Sequence, residues 1–185
     1  MKMRFSRPSA PSVALASCLA LAFAAGPAQS GSQEPFDAAR SAPEKALNEI
    51  FHHSDNDDNL SEFVLKRPWY DAKKDKGYAT LFTPNLLAAW ASAEAQLVQH
   101  DCQGKYLDGE ICGIDYSPIT CGNATSDKGY RFRTKEADDR KAILSSRWAG
   151  EQARADGPQY RMAKEGGSWR LDGVDCGNGA KFNMN

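Results

Sequence analysis

Helices first and strands afterwards place this chain in the α+β class. Three observations carry the assignment: a capping-box pattern at Ser41-Ala42-Pro43-Glu44, a Thr83-Pro84 helix start, and four period-two segments after Gly129. The architecture they predict is N-terminal helices packed on a four-stranded antiparallel sheet, a single domain over residues 41–185. Residues 31–40 read as a flexible tether in front of it.

The elements follow in order. In the capping box, the Ser41 hydroxyl and the Glu44 carboxylate satisfy orphan amides at a helix start. Leu47, Ile50 and Phe51 then fall at helical spacing, giving one apolar face up to about His52. A polar break, Ser54-Asp55-Asn56-Asp57-Asp58, precedes a short helix from Asn59 that carries Phe63, Val64 and Leu65 and stops at Pro68. Thr83 and Pro84 suit an N-cap and a first helical turn. That helix should run to about Gln99, with Leu86, Trp90, Ala93 and Leu97 as its buried stripe and Leu87, Ala91 and Val98 beside it. Residues 101–126 are rich in Gly, Asp, Cys and Pro and read as a long loop. Strands are expected from Tyr130 to Thr134, Ala142 to Trp148, Gln159 to Ala163 and Ser168 to Val174. Glu165-Gly166-Gly167-Ser168 supplies the hairpin turn between the last two.

The first thirty residues have the plan of a bacterial secretory signal peptide. Lys2, Arg4 and Arg7 form a basic region, Val13 to Ala25 an apolar one, and Gly26 to Ser30 a small-residue cleavage zone. Cleavage after Ala28 and cleavage after Ser30 both satisfy the small-residue rule. Leu15-Ala16-Ser17-Cys18 has the form of a lipoprotein box, yet the apolar run continues beyond Cys18, so lipidation is the lesser reading. The apolar stretch is shorter than the about 20 residues a membrane span needs, and the mature chain is expected to be periplasmic or secreted and not membrane-spanning.

Removal of the leader would leave Cys102, Cys112, Cys121 and Cys176. An even count in an exported domain reads as two disulfides, and local closure favours Cys102–Cys112 with Cys121–Cys176 among three pairings. The leader holds three of the 23 basic residues and none of the 24 acidic ones, so the remainder carries 20 against 24, a net charge of −4. That balance argues against nucleic acid, which needs a concentrated basic face.

Three ordered pieces resemble a known family: Leu81-Phe82-Thr83-Pro84-Asn85-Leu86-Leu87, Ile111-Cys112-Gly113-Ile114-Asp115-Tyr116 and Gly167-Ser168-Trp169-Arg170-Leu171-Asp172-Gly173-Val174. They are similar to the exported bacterial proteins catalogued as domain of unknown function 3828, of the nuclear-transport-factor-2-like (cystatin-like) superfamily. The resemblance implies a curved antiparallel sheet wrapped around helices into a cone. It brings no catalytic residues, and the fold hosts enzymes, binding proteins and scaffolds alike.

Candidate functional residues are few. Asp55, Asp57 and Asn59 have the odd spacing of a calcium loop, but Leu60 and Lys66 stand where glycine and glutamate are required, so an Asp/Asn turn capping the next helix is the preferred reading. No metal and no cofactor is expected. His100 or Asp115 could serve as a base near the mouth of a cone, with Asp101 and Tyr116 close by; this is the minimal enzymatic reading. Trp69-Tyr70, after Pro68, is the aromatic pair suited to partner contact, and Asp115 and Tyr116 join it as binding candidates. Trp90, Trp148 and Trp169 read as core. Arg131, Arg133, Lys135, Arg140 and Lys141, interleaved with Glu136, Asp138 and Asp139, read as a solvated face. Together these point to an exported, disulfide-bonded binding or accessory protein without catalysis, acting on a small ligand or an envelope protein. The alternatives are a cone-pocket enzyme and an envelope or toxin-related interaction module.

Overall fold

Local signals and tertiary packing agree through most of the chain. The computed structural model describes residues 35–151 and 157–184; the leader lies outside them. Three helices, α1 (Ala42–Asn56), α2 (Asp58–Val64) and α3 (Pro84–Cys102), precede five strands. These are β1 (Tyr130–Ala137), β2 (Lys141–Trp148), β3 (Gln159–Glu165), β4 (Ser168–Asp175) and β5 (Lys181–Phe182). They form one antiparallel sheet in sequence order. The expected four strands are therefore five. A two-residue strand is too short to show a period, and Lys181–Phe182 is recruited by pairing with Val174 and Asp175.

The capping box forms as expected, and Glu44 does more than cap. One carboxylate oxygen accepts from the Arg40 and Ser41 amides at 2.9 Å each, and the other accepts from Thr134 Oγ1 at 2.8 Å, tying α1 to β1. Phe51 carries the α1 face into the sheet, with ring centroids 4.5 Å from Tyr130, 5.1 Å from Tyr160 and 5.9 Å from Phe132. Lys66, in a left-handed conformation just past α2, ends that helix before Pro68. Glu165–Ser168 closes the β3–β4 hairpin, with Gly166 and Gly167 both at positive φ. Only a two-residue turn of that hand matches the strand twist.

Two of the family-like pieces meet. Thr83 N donates to Leu171 O and Leu171 N to Leu81 O, each at 2.9 Å, so Phe82 bridges β4 in parallel. Thr83 caps α3 through Leu86 N and donates its own hydroxyl proton to Asp172 at 2.7 Å. Asp172 also accepts from Arg161 Nε at 2.7 Å. It occupies a bulge: Arg161 pairs with Gly173 and Met162 with Leu171. The extra residue lets Leu171 and Val174, three apart, both reach the core. A second bulge lies in β1 between Thr134 and Glu136.

Several side chains depart from their expected places. The stripe on α3 is Leu86, Trp90, Glu94, Val98 and Cys102, whereas Leu97 is 39% exposed. A strict i, i+4 repeat drifts around the helix and carries the buried line away from Leu97. Trp90 is fully buried, Trp169 is half-buried beneath Lys164, and Trp148, at the end of β2, is exposed. Part of the expected tether is docked: Asp37 pairs with Phe132 at the β1 edge, and Arg133 and Arg147 stack over the Phe36 ring. That stacking buries Arg133, which is consequently not part of a solvated face.

Candidate functional site

The expected disulfides form, Cys102–Cys112 and Cys121–Cys176, with Cα atoms 5.7 and 5.4 Å apart. The first folds residues 103–111 back onto the end of α3. The second fixes the loop's exit to the end of β4. Between them, the loop and the α1–α2 corner border a cleft of about 740 Å³.

Behind the Arg67, Tyr106 and Ile114 lining of this cleft lies a buried charge network centred on Glu94, 2% exposed. Its Oε1 accepts from Arg67 Nε at 2.8 Å and from the Tyr106 hydroxyl at 2.9 Å. Its Oε2 accepts from Ile114 N at 2.6 Å. Arg67 also donates to the Ile114 carbonyl and lies 3.8 Å from Glu62. Burial, with help from Glu94, pushes the Tyr106 hydroxyl up to about 12, so it remains a proton donor at neutral pH. Gly113 makes the arrangement feasible: its φ is +86°, and a Cβ there would lie 2.5 Å from the Glu94 carboxylate. The middle family-like piece thus serves as a clamp on α3. Glu94 escapes sequence reasoning because a carboxylate among helical alanines looks solvated; the one available signal is its place between Trp90 and Val98.

Above this network stands Trp69, 53% exposed. Its ring meets Tyr106 edge to face at 4.7 Å, and the Arg67 guanidinium lies 5.8 Å from its centroid. Tyr70 turns the other way, packing on Phe63 at 5.5 Å and donating to Asp75 at 2.5 Å. Only Trp69 of the pair lines the cleft. Asp115 and Tyr116 line it as well, and burial raises the Tyr116 hydroxyl pKa. His100 and Asp101 do not line the cleft; they hydrogen-bond each other at 2.7 Å, with the His100 side chain 84% exposed.

The acidic turn is dispersed among separate duties. Asp55 accepts from the Tyr130 hydroxyl at 2.9 Å. Asp57 accepts from the Tyr78 hydroxyl at 2.6 Å and pairs with Lys76 at 2.9 Å. It occupies the N-cap of α2 without capping it, since its carboxylate is engaged elsewhere. Asn59 exchanges hydrogen bonds with the Asp71 backbone at 2.9 and 3.1 Å. Among the described residues, no group of three His, Cys, Asp or Glu side chains has a metal-holding arrangement, and no helix is long and apolar enough to cross a membrane.

Burial raises the Asp55 carboxyl pKa, against the opposing hydrogen bond from Tyr130. A folded-state value above the unfolded one means that the fold holds this proton more tightly. The resulting stabilisation is present below about pH 4 and lost as the pH rises through the folded value. Asp55→Asn should therefore equal or exceed the parent in stability at pH 7, its advantage growing from pH 4 upward. Denaturant melts at four pH values check this; a constant difference between the two proteins would contradict it.

Comparison with family models, with curated proteins and with solved structures finds no match for the chain.

Proposed function

We propose that this is an exported, disulfide-bonded binding or accessory protein that works through the Trp69 cleft rather than by catalysis. One observation carries the reading. Of the large apolar side chains exposed among the described residues, the three most exposed, Ile111 at 71%, Trp69 at 53% and Leu107 at 50%, all line this one cleft. Apolar groups concentrated in one concavity mark an interaction site, whereas scattered ones need no explanation. The polar groups of the wall are committed to one another, which suits a fixed binding surface. Two disulfides accord with an oxidising compartment outside the cytoplasm. The contact between the first and third family-like pieces, and the two sheet bulges, support a curved, cone-like fold of the nuclear-transport-factor-2-like kind.

The test is crosslinking and pull-down from intact cells, with the tagged full chain keeping its own leader. Recovery in the envelope fraction, with a species captured by the parent and lost in Trp69→Ala/Ile111→Ser, is the expected result. Retention in the cytoplasm, or capture unchanged by the double variant, would overturn the reading.

A further inference from the structure

From the charge around the cleft we infer what it holds: an extended, basic segment of a partner protein in which Lys or Arg side chains are interspersed with apolar ones. This rests on the binding reading above and names the chemistry of its partner. Asp58, Asp108, Glu110 and Asp115 line the cleft and are exposed. Arg67 is the one basic side chain among the described lining residues, and its guanidinium is held by Glu94 and the Ile114 carbonyl. Among its described lining residues, the cleft therefore presents exposed carboxylates and no cation other than the engaged Arg67.

The carboxylates are interleaved with the apolar groups. On the loop closed by Cys102–Cys112, Leu107 and Ile111 flank Asp108 and Glu110, and Trp69, packed on Tyr106 of that loop, lines the same cleft. A ligand carrying only positive charge would leave Trp69, Leu107 and Ile111 in water. A purely apolar one would desolvate the carboxylates without pairing them, which is unfavourable. A segment with both answers each group: ammonium or guanidinium to the carboxylates, aliphatic stems and neighbouring apolar side chains to the rings and branched chains. Arginine adds a stacking contact with Trp69. The disulfide holds one bank of the cleft in place before the ligand arrives, so little ordering entropy opposes binding.

The experiment pans an unbiased heptapeptide library, displayed on phage, over the purified disulfide-bonded protein at low and at physiological salt. The four-fold neutralised variant Asp58→Asn/Asp108→Asn/Glu110→Gln/Asp115→Asn and Trp69→Ala are panned in parallel. All five positions are exposed, and matching melting curves establish that the variants fold. The expected result is enrichment of Lys or Arg interspersed with aliphatic or aromatic residues. The best synthetic peptide should bind at least tenfold more weakly to the neutralised variant and to Trp69→Ala, and more weakly at higher salt as screening shortens to about 8 Å. Enrichment without basic residues, equal enrichment on the neutralised variant, or no enrichment at all overturns the inference. The cellular pull-down separates the two readings. A Trp69-dependent partner contacting the cleft through a neutral or acidic segment leaves the binding role standing and removes the basic-segment assignment, whereas loss of both results removes both.

Discussion

Arg67→Ala should destabilise the fold by about 3–5 kcal/mol, the cost of leaving a buried charge without its partner. Glu94 is 2% exposed and would keep only the Tyr106 hydroxyl and the Ile114 amide as donors. The Ile114 carbonyl would lose its guanidinium at the same time. Guanidinium or urea denaturation measures the loss. Arg67→Lys keeps the charge but not the fork that reaches Glu94 and Ile114 together, so it should fall between the parent and the alanine variant. Arg67→Met with Glu94→Leu should be less damaging than Arg67→Ala alone, because it leaves no lone ion behind. A loss below about 1 kcal/mol for Arg67→Ala would show that water reaches Glu94 and that the network does not hold the loop.

The second large effect concerns the disulfides, and the two should differ. Cys121 and Cys176 are 55 residues apart, whereas Cys102 and Cys112 are 10 apart. Cross-linking restricts the unfolded chain more when the closed loop is longer, which gives about 4 kcal/mol for the first bridge and about 3 kcal/mol for the second. Paired alanine substitutions, compared by denaturant midpoint, should rank in that order. The shorter bridge has a different signature: its loss should weaken ligand capture at the cleft more than its stability cost suggests, because it holds Leu107 to Ile111 in position. Reversal of the stability order would mean that native contacts of the 103–111 loop outweigh chain entropy.

What could be read from sequence was what is decided locally. The Ser41 box, the Thr83-Pro84 start and the Gly166-Gly167 turn each depend on residues within four positions, and each formed where expected. The α+β order was legible in the alternation, and local closure favoured Cys102–Cys112, which left Cys121–Cys176, 55 positions apart, as the remaining pair among three possible pairings. Long-range decisions were not. Glu94 looks like any exposed helical carboxylate until Arg67, 27 positions earlier, and Ile114, 20 positions later, are brought to it. The Asp172 bulge breaks a period that seemed regular, and β5 exists only because β4 offers it an edge. At the site, Trp69, Asp115 and Tyr116 were legible as exposed or loop-borne groups. Tyr70 was not, because its ring finds Phe63 through a helix whose packing no pattern reveals. Nor was the separation of His100 from the cleft, which follows from where α3 ends.

The strands pair strictly with their neighbours in sequence, yet α1 completes the core only through them. Phe51 waits for Tyr130, Phe132 and Tyr160, about 80 to 110 positions downstream. A chain delivered N-terminus first, from a ribosome or through a translocation channel, therefore exposes its first amphipathic helix long before that helix has anything to cover it. The sheet can zip hairpin by hairpin once it emerges, since its contacts are short-range. The interval between those events is when the chain is most open to capture by a chaperone. The Cys121–Cys176 bridge cannot form until its second sulfur, close to the end of the chain, has been delivered.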